Sequence, residues 1–247
     1  MTPAWDLAQR AAQAAAVTLR PLSGDADVEA INHVVASTWG GQYMEREVVR
    51  ALCVSGNVPW GAEAGGTVIG FVLGWAGVDE GGLHVHSHML ASVPDRRHAG
   101  VGYALKLAQR AQALDQGIAI MRWTFDPMVA RNAWFNLGKL GVVVDRFERS
   151  FYGEMQDAIN AGDRSDRFTV RWDLPREPGP HPVPGEHVTV PIPPEYHELR
   201  VVEPVEASRQ RDDAARSFEE HLGDGLVCVA FDRATSAYVF APPKGMA

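Results

Sequence analysis

The stretch Val93-Pro94-Asp95-Arg96-Arg97-His98-Ala99-Gly100-Val101-Gly102 follows a strand-like run and precedes a strongly helical one. Gly100 and Gly102 lack a Cβ, so the chain can turn tightly and let phosphate oxygens approach the backbone. The helix that begins there offers unpaired N–H groups and the positive end of its dipole. Arg96 and Arg97 add cationic donors. The pattern predicts a loop that binds a pyrophosphate; a glycine-containing turn with surface arginines is the alternative.

The residues on either side of this loop predict a strand before it and a helix after it. Residues 83–93 are typical of a strand, and apolar residues then recur at helical spacing from Val101 to Leu114. We expect a helix over 102–116 that Gly117 ends. No Gly-Lys-Ser/Thr follows the loop and its glycines do not form G-x-G-x-x-G, which disfavours a P-loop and a dinucleotide fingerprint.

The rest of the first two thirds of the chain predicts alternating strands and helices. The expected order is βααβββαβαβ, which describes a mixed α/β sheet. We expect strands at 17–22, 60–64, 67–76, 83–93, 118–125, 142–151 and 168–172, and helices at 1–16, 25–38, 45–54, 102–116 and 131–140.

Three of these segments together resemble the GNAT superfamily of acyl-CoA-dependent N-acyltransferases. They are the strand Leu83–Val93, the loop Arg97-x-x-Gly100-x-Gly102, and Ala130–Gly141, which is similar to the family's Asn-x-x-Ala…Lys-x-Gly segment. The runs His-Ser-His-Met-Leu and Trp-Thr-Phe-Asp-Pro resemble those of one group of predicted acyltransferases. The resemblance covers residues from about 17 to 174. It implies a GNAT-like α/β fold, in which a bulge splays two central strands of a mixed sheet flanked by helices.

The resemblance also implies which residues would bind acyl-CoA. The loop would hold the pyrophosphate on its amides, and the end of the preceding strand would pair with the pantetheine arm and orient the thioester carbonyl. Asn132 would face the pantetheine or the sulfur. The implied set is Leu90, Ala91, Val93, Arg96, Arg97, Ala99, Gly100, Val101, Gly102 and Asn132.

One residue departs from the family pattern. Many members place a Tyr on the later helix to protonate the leaving thiolate, and the corresponding position here is Leu137. Tyr152, or water, is then the candidate acid. A third possibility is that no acid is needed, because a thiol pKa of about 8.5 makes the thiolate a fair leaving group.

Three histidines alternate along the predicted strand before the loop. His84, His86 and His88 are expected on one face of that strand, with Val85 and Met89 filling the core on the other. A neutral imidazole suits the general base that acyl transfer to an amine requires, and His86 and His88 are best placed for it. His84, farther out, is a weaker candidate for contact with substrate. Two alternatives are a structural role in a polar site and a metal site completed by Asp79, Glu80 or Asp126.

Residues beyond the next predicted strand add weaker candidates. Asp126 can bind an amino group or orient a histidine, and a turn before Pro127 is the alternative. Trp123 can border the substrate. Arg167 can pair with the carboxylate of an acceptor or of a dicarboxylyl donor, although an ion pair at the surface is the plainer interpretation.

Composition limits the partners and the compartment. The chain has 247 residues and a formal net charge of −8, so nothing favours nucleic-acid binding through phosphate neutralisation. Only Cys53 and Cys228 are present, which predicts no disulfide framework and favours a reducing cytoplasm. No apolar run approaches the roughly 20 residues that span a bilayer, and residues 1–16 predict an amphipathic helix, not a signal peptide.

The last third of the chain predicts a linker and an appendage. Eight prolines fall within 174–194, which excludes helix and indicates an extended segment. We expect a domain at 1–174, a linker at 175–194, and a small α/β appendage at 195–247 with a helix near 204–222 and a hairpin from 226–231 and 237–240. The appendage is too small to bury a core alone, so we expect it to dock on the main domain or on a second subunit.

The sequence therefore predicts a cytoplasmic enzyme, an acyltransferase for groups other than aminoacyl groups. Acyl-CoA is the expected cosubstrate, with acetyl-CoA first and succinyl-CoA with an amino-acid acceptor as the alternative. The acceptor is the amine of a small molecule, attacked directly, without a metal, a membrane or nucleic acid, in a possible homodimer. The rival functions are a non-catalytic protein that binds CoA or a metabolite, and a hydrolase with a histidine-bound metal.

Overall fold

A computed structural model describes residues 2–40, 43–94, 100–155, 157 and 161–243 of the chain. The chain divides into two units. Unit 1 comprises residues 1–122 and 156–161, and unit 2 comprises residues 123–155 and 162–247. The division falls within one strand, β5 (Ile120–Phe125), so each unit contains half of it.

The described residues of unit 1 form four helices and four complete strands. In chain order they are α1 (Pro3–Ala14), β1 (Thr18–Pro21), α2 (Asp25–Trp39), α3 (Arg46–Val54), β2 (Trp60–Ala64), β3 (Thr67–Asp79), β4 (Gly82–Ser92) and α4 (Val101–Asp115). The strands lie in the order β1-β2-β3-β4-β5. All pairs are antiparallel except β4 with β5, which is parallel.

Helices cover both faces of this sheet and bury its apolar side chains. One cluster, which includes Ile31 and Val34 of α2, packs on Phe71 and Leu73 of β3. The opposite cluster contains Val101 and Leu105 of α4, Val72 of β3 and Leu90 of β4. Because α4 also contacts α1 on its outer side, most of its residues are buried, including Lys106, Gln109 and Arg110.

Unit 2 continues from the second half of β5. It contains α5 (Ala130–Ala133, extended by a π-helix over Trp134–Leu140), β6 (Val143–Glu148), β7 (Arg167–Asp173), β8 (Val188–Pro191), α6 (Tyr196–Val202), α7 (Pro204–Gly223), β9 (Val227–Asp232) and β10 (Ala237–Ala241). Its strands lie in the order β5-β7-β6-β9-β10-β8. Aromatic side chains of β6, β7, α7 and β10 fill its core, among them Phe147, Phe168, Phe218, Tyr238 and Phe240.

The order βααβββαβαβ is confirmed from β1 to β6. The sequence did not predict two features of unit 2. The second half of the helix over 131–140 is a π-helix, in which Gly138 lets the ring of Trp134 lie against the backbone. The proline-rich segment also contributes a strand, β8, which among the described residues pairs with β10 and lies at the edge of the sheet. A proline is tolerated in an edge strand, because its missing N–H need not remove a hydrogen bond of the ladder, and β8 ends in Pro191.

The appendage packs on strands of the predicted main domain. Its strand β9 pairs with β6 at Val144 and Cys228, and Phe218 of α7 packs against Phe168 of β7. Within the part of the chain that the structure describes, no helix combines the length and the apolar character that a membrane-spanning segment needs.

Candidate active site

The middle of β4 contains a β-bulge. Ser87 pairs with Gly74 of β3 and Met89 pairs with Leu73, so His88 is one extra residue with no partner in the β3–β4 register. Gly74 is needed opposite the bulge, because a Cβ there would lie 2.5 Å from the carbonyl oxygen of His86 and 2.9 Å from the Cα of Ser87. Bulges of this kind end regular pairing and redirect side chains.

The parallel pairing of β4 with β5 is short. Among the described residues it consists of Val85 with Met121 and His86 with Arg122. In the described part of the chain, the rest of β4 from Ser87 to Ser92 pairs with β3 alone. Val93 donates its N–H to the oxygen of Ile69 on the same side. A strand paired on one side presents backbone groups on the other that can pair with an extended ligand.

The bulge corrects one prediction about side-chain direction. Val85 and Met89 were expected on the same face of β4, opposite the histidines. Met89 instead packs on the α2 side with Leu73, whereas Val85 lies on the α4 side near Gln109. The extra residue at His88 reverses the alternation for everything that follows, because strand side chains alternate with a period of two.

Two of the three histidines lie against one tryptophan, Trp75, which the sequence patterns did not indicate as a site residue. Trp75 of β3 pairs directly with His86 in the ladder, and their ring centroids are 5.2 Å apart. The ring of His88 lies 4.9 Å from the same indole and 5.8 Å from His86. His84 lies apart from this group, with Nδ1 3.2 Å from the oxygen of Gly82 and 3.7 Å from a carboxylate oxygen of Asp79.

The surroundings keep these two imidazoles neutral. Burial lowers the pKa of His86 to about 4, with smaller contributions from the neighbouring His88, His84 and Lys106. Desolvation by the surrounding protein also lowers the pKa of His88, although its side chain retains contact with solvent. A group with a depressed pKa is neutral at pH 7, so both rings have a lone pair that can accept a proton.

A buried polar group lies on the opposite face of β4. Lys106 of α4, which is 2 % exposed, donates through Nζ to Oγ of Ser87 at 2.6 Å, and that hydroxyl donates to Oε1 of Gln109 at 2.7 Å. Burial lowers the pKa of the Lys106 ammonium well below its ordinary value. These bonds fix the residue that lies between His86 and His88.

The predicted pyrophosphate loop is described only at its ends. Gly100 adopts the left-handed conformation with φ +85° and precedes the first residue of α4, Val101. A Cβ on Gly102 would make only ordinary contact, 3.7 Å from Leu90. Arg96, Arg97 and Ala99 lie outside the described residues. The first amides of α4 have no acceptor within the helix, as the predicted site requires.

The remaining candidates lie in unit 2. Asp126 accepts hydrogen bonds from the backbone N–H of Met128 at 2.8 Å and from Nη2 of Arg211 at 3.0 Å. It therefore has the turn position that the alternative interpretation gave it, and it also forms an ion pair. Arg167 is 6 % exposed and donates to the backbone oxygen of Asp166, so an ion pair at the surface was the wrong alternative.

The other residues of unit 2 that the sequence singled out differ in exposure. Trp123 is 6 % exposed and donates to Oδ1 of Asn136 at 3.2 Å, which places it in the core of unit 2. Asn132 is half-buried in the first turn of α5. Leu137 is fully buried in the π-helix, and the hydroxyl of the exposed Tyr152 lies 3.0 Å from that of Thr124 on β5.

A buried arginine holds the appendage to the end of β5. Arg211 of α7, whose side chain is 2 % exposed, lies 2.7 Å from a carboxylate oxygen of Asp163 and donates Nε to the hydroxyl of Tyr196 at 2.9 Å. Among the described residues, no group of three or more His, Cys, Asp or Glu side chains is arranged to hold a metal ion. Local sequence patterns did not indicate Arg211, because its partners Asp126 and Asp163 lie 85 and 48 residues away in the chain.

Comparison with known proteins identifies the fold. No protein-family model matches the sequence, and no curated protein matches it. Among solved structures, the ribosomal-protein-S18-alanine N-acetyltransferase from Escherichia coli is similar with a TM-score of 0.51 and 15% identity, over 69% of this chain and 98% of that one. Naa20 from Chaetomium thermophilum, solved with a bisubstrate analogue, is similar with a TM-score of 0.52 and 18% identity, over 65% of this chain and 88% of that one. The chain therefore has a GNAT-like fold, which it shares with these two solved structures.

Proposed function

We propose that this chain is an N-acyltransferase that moves an acyl group from acyl-CoA to the amine of a small molecule. The observation that carries the proposal is the bulge at His88, which follows the last parallel pair of β4 with β5 and precedes the turn at Gly100 and the start of α4 in the chain. A one-sided strand followed by a helix N-terminus supplies backbone groups for an extended arm and for a phosphate. The fold that the chain shares with the ribosomal-protein-S18-alanine N-acetyltransferase from Escherichia coli supports the same function.

The chemistry of the proposed reaction needs a base and a polarised carbonyl. The amine nitrogen attacks the thioester carbon, the C–S bond breaks, and the amine proton passes to a neutral imidazole. We assign this base to His88, because its ring reaches solvent, whereas a pKa of about 4 makes His86 a weaker base. Backbone N–H groups within Leu90–Ser92 are the proposed donors to the carbonyl oxygen, since that of Val93 donates to Ile69.

The thiolate takes a proton from Tyr152 or from water in this proposal. Tyr152 is supported by its exposed hydroxyl beside Thr124, whereas Leu137 can donate no proton. Asp126 holds Arg211 and the turn at Met128, so we assign it a positioning role in place of the catalytic one.

Acetyl-CoA is the proposed donor. A succinyl donor would need a cation for its free carboxylate, and the candidate, Arg167, already donates to Asp166 and lies 3.9 Å from Asp126. The succinyl group would compete with those partners, which favours the smaller acyl group. We also propose a cytoplasmic location and a homodimer, the latter to be tested by light scattering.

Thermal unfolding with CoA, acetyl-CoA and succinyl-CoA tests binding, and release of the CoA thiol in the presence of amines tests turnover. At about 100 times its Kd, a ligand stabilises the fold by roughly 2.7 kcal/mol, which raises the midpoint by several degrees. Stabilisation by acetyl-CoA followed by amine-dependent thiol release is the expected result. Stabilisation with no thiol release for any amine would instead support a non-catalytic protein that binds CoA, and no stabilisation by any thioester would contradict both.

A further inference from the structure

We infer that Trp75 is the binding surface for the acceptor, and that the acceptor is an amine carried on an aromatic or otherwise apolar group. This inference rests on the proposed N-acyltransferase function and names the substrate class of that site. It is argued from unit 1 alone, where the indole of Trp75 and the imidazoles of His86 and His88 come together.

Trp75 lies beside His88, the proposed base. Its ring centroid lies 4.9 Å from that of His88 and 5.2 Å from that of His86, so the indole contacts both imidazoles. The side chain is only half-buried, which leaves part of the indole for a ligand. A group that rests on this surface therefore brings its amine close to the ring that is to take its proton.

Trp75 shares its face of the sheet with other large apolar side chains. Trp39, Met44 and Met89 are also half-buried and pack on the same hydrophobic cluster, which lies on the α2 side of the sheet. Large side chains that are only partly covered at the edge of a core form a surface that favours apolar ligands. Tryptophan and methionine are well suited to this because their faces are broad and, for methionine, adaptable.

The charges near the histidines disfavour an acceptor with several positive charges. The groups that act on His86 are His88, His84 and Lys106, each of which is neutral or positive. The nearby carboxylate of Asp79 lies 3.7 Å from Nδ1 of His84 and 3.7 Å from Nε of Arg122, so a guanidinium already faces it. A single ammonium can approach over the indole through a cation–π contact before it loses its proton, whereas a polyamine would leave its other charges without partners.

The test compares amines and variants with acetyl-CoA as donor. We expect kcat/KM for 2-phenylethylamine and tryptamine to exceed that for spermidine and glucosamine at least tenfold. Trp75→Ala should raise KM for 2-phenylethylamine about tenfold and leave KM for acetyl-CoA unchanged, and Trp75→Phe should restore most of the loss. Leu83→Ala, which removes an exposed apolar side chain elsewhere on β4, is the matched control and should change neither constant.

A binding measurement separates this inference from the proposed function. Calorimetric titration of the full chain with 2-phenylethylamine in the presence of CoA should show binding that Trp75→Ala abolishes and Trp75→Phe retains. Binding of this kind without any acetylation would contradict the N-acyltransferase function and leave the apolar amine site standing. Preferential acetylation of spermidine, or binding of 2-phenylethylamine that Trp75→Ala does not change, would overturn the inference while the enzyme assignment survives.

Discussion

His86 faces Trp75 directly across the antiparallel pairing of β4 and β3, with the two ring centroids 5.2 Å apart. The bulge places the next histidine, His88, against the same indole at 4.9 Å. The three alternating histidines are therefore not equivalent: His84 lies near Asp79, and the other two lie on an aromatic surface. The residue inserted into β4 thus brings a second imidazole to Trp75, and the more exposed of the two, His88, is the one we assign as the base.

The first prediction concerns that base. His88→Gln should lower kcat about 100-fold or more, because general base catalysis contributes roughly 10²–10⁴-fold, and should leave KM for acetyl-CoA unchanged. His86→Gln is the matched comparison, and we expect it to lower kcat less. Steady-state kinetics of thiol release with a fixed amine measures both. Equal losses in the two variants would contradict the assignment to His88.

The pH dependence of kcat/KM tests the same assignment. The pKa values of both histidines are lowered, so protonation of the base should reduce the rate only below the ordinary histidine value of about 6.5. Above that pH the base is neutral, and any further rise reports deprotonation of the acceptor amine. In His88→Gln the contribution of the base to the acidic limb should disappear, and only the dependence due to the amine should remain.

Sequence patterns predicted the fold better than they predicted the site. The helical spacing from Val101 to Leu114 and the glycine turn before it depend on neighbouring residues, which a sequence displays directly. The bulge depends on Gly74, a residue of the adjacent strand whose missing side chain makes room for the backbone of β4. The strict alternation used to place Met89 contains no information about such an insertion.

Unit 2 shows the same limit in its polar contacts. Asp126 was singled out as a carboxylate beside the predicted site, but its partner Arg211 lies 85 residues away in the chain. The π-helix after Ala133 likewise changes which side chains of that segment face inward, and it buries Leu137. Contacts between distant segments and irregular helix geometry are set by packing, so local sequence patterns did not reveal them.

The second prediction concerns the bulge. Gly74→Ala should destabilise the chain by about 1–3 kcal/mol, because the new methyl would press on the backbone of His86 and Ser87 and on the amide of Gln109. Gly77→Ala in the same strand is the control, since its methyl would meet only the side chain of His84 at 3.3 Å. Thermal unfolding measures the difference. A Gly74→Ala protein as stable as the control would show that the bulge does not need the glycine.

The third prediction concerns the arginine that joins α7 to the end of β5. Arg211→Met should destabilise the chain by about 3 kcal/mol at pH 7, because it leaves the carboxylates of Asp126 and Asp163 without their buried cation. Arg209→Met, which removes an exposed arginine of the same helix, should have no measurable effect. Chemical denaturation of both variants and of the natural chain at pH 7 provides the comparison.

The fourth prediction concerns the buried lysine. Burial lowers the pKa of Lys106 in the folded chain, so between that value and the ordinary value of about 10.4 the unfolded chain binds more protons. The free energy of unfolding should therefore rise with pH across this window, with a slope of up to about 1.4 kcal/mol per pH unit. Lys106→Met should abolish that rise and be at least as stable as the natural chain near neutral pH, since Oγ of Ser87 still donates to Gln109.

The same substitution has a second consequence at the candidate site. Because the charge of Lys106 helps to lower the pKa of His86, Lys106→Met should raise the pKa of that imidazole toward its ordinary value, as NMR titration of the histidine rings would show. Lys139→Met, which removes an exposed positive charge of unit 2, is the control for the loss of charge alone. If His86 titrates identically in all three proteins, the two faces of β4 are electrostatically independent, and the Lys106–Ser87 contact is structural only.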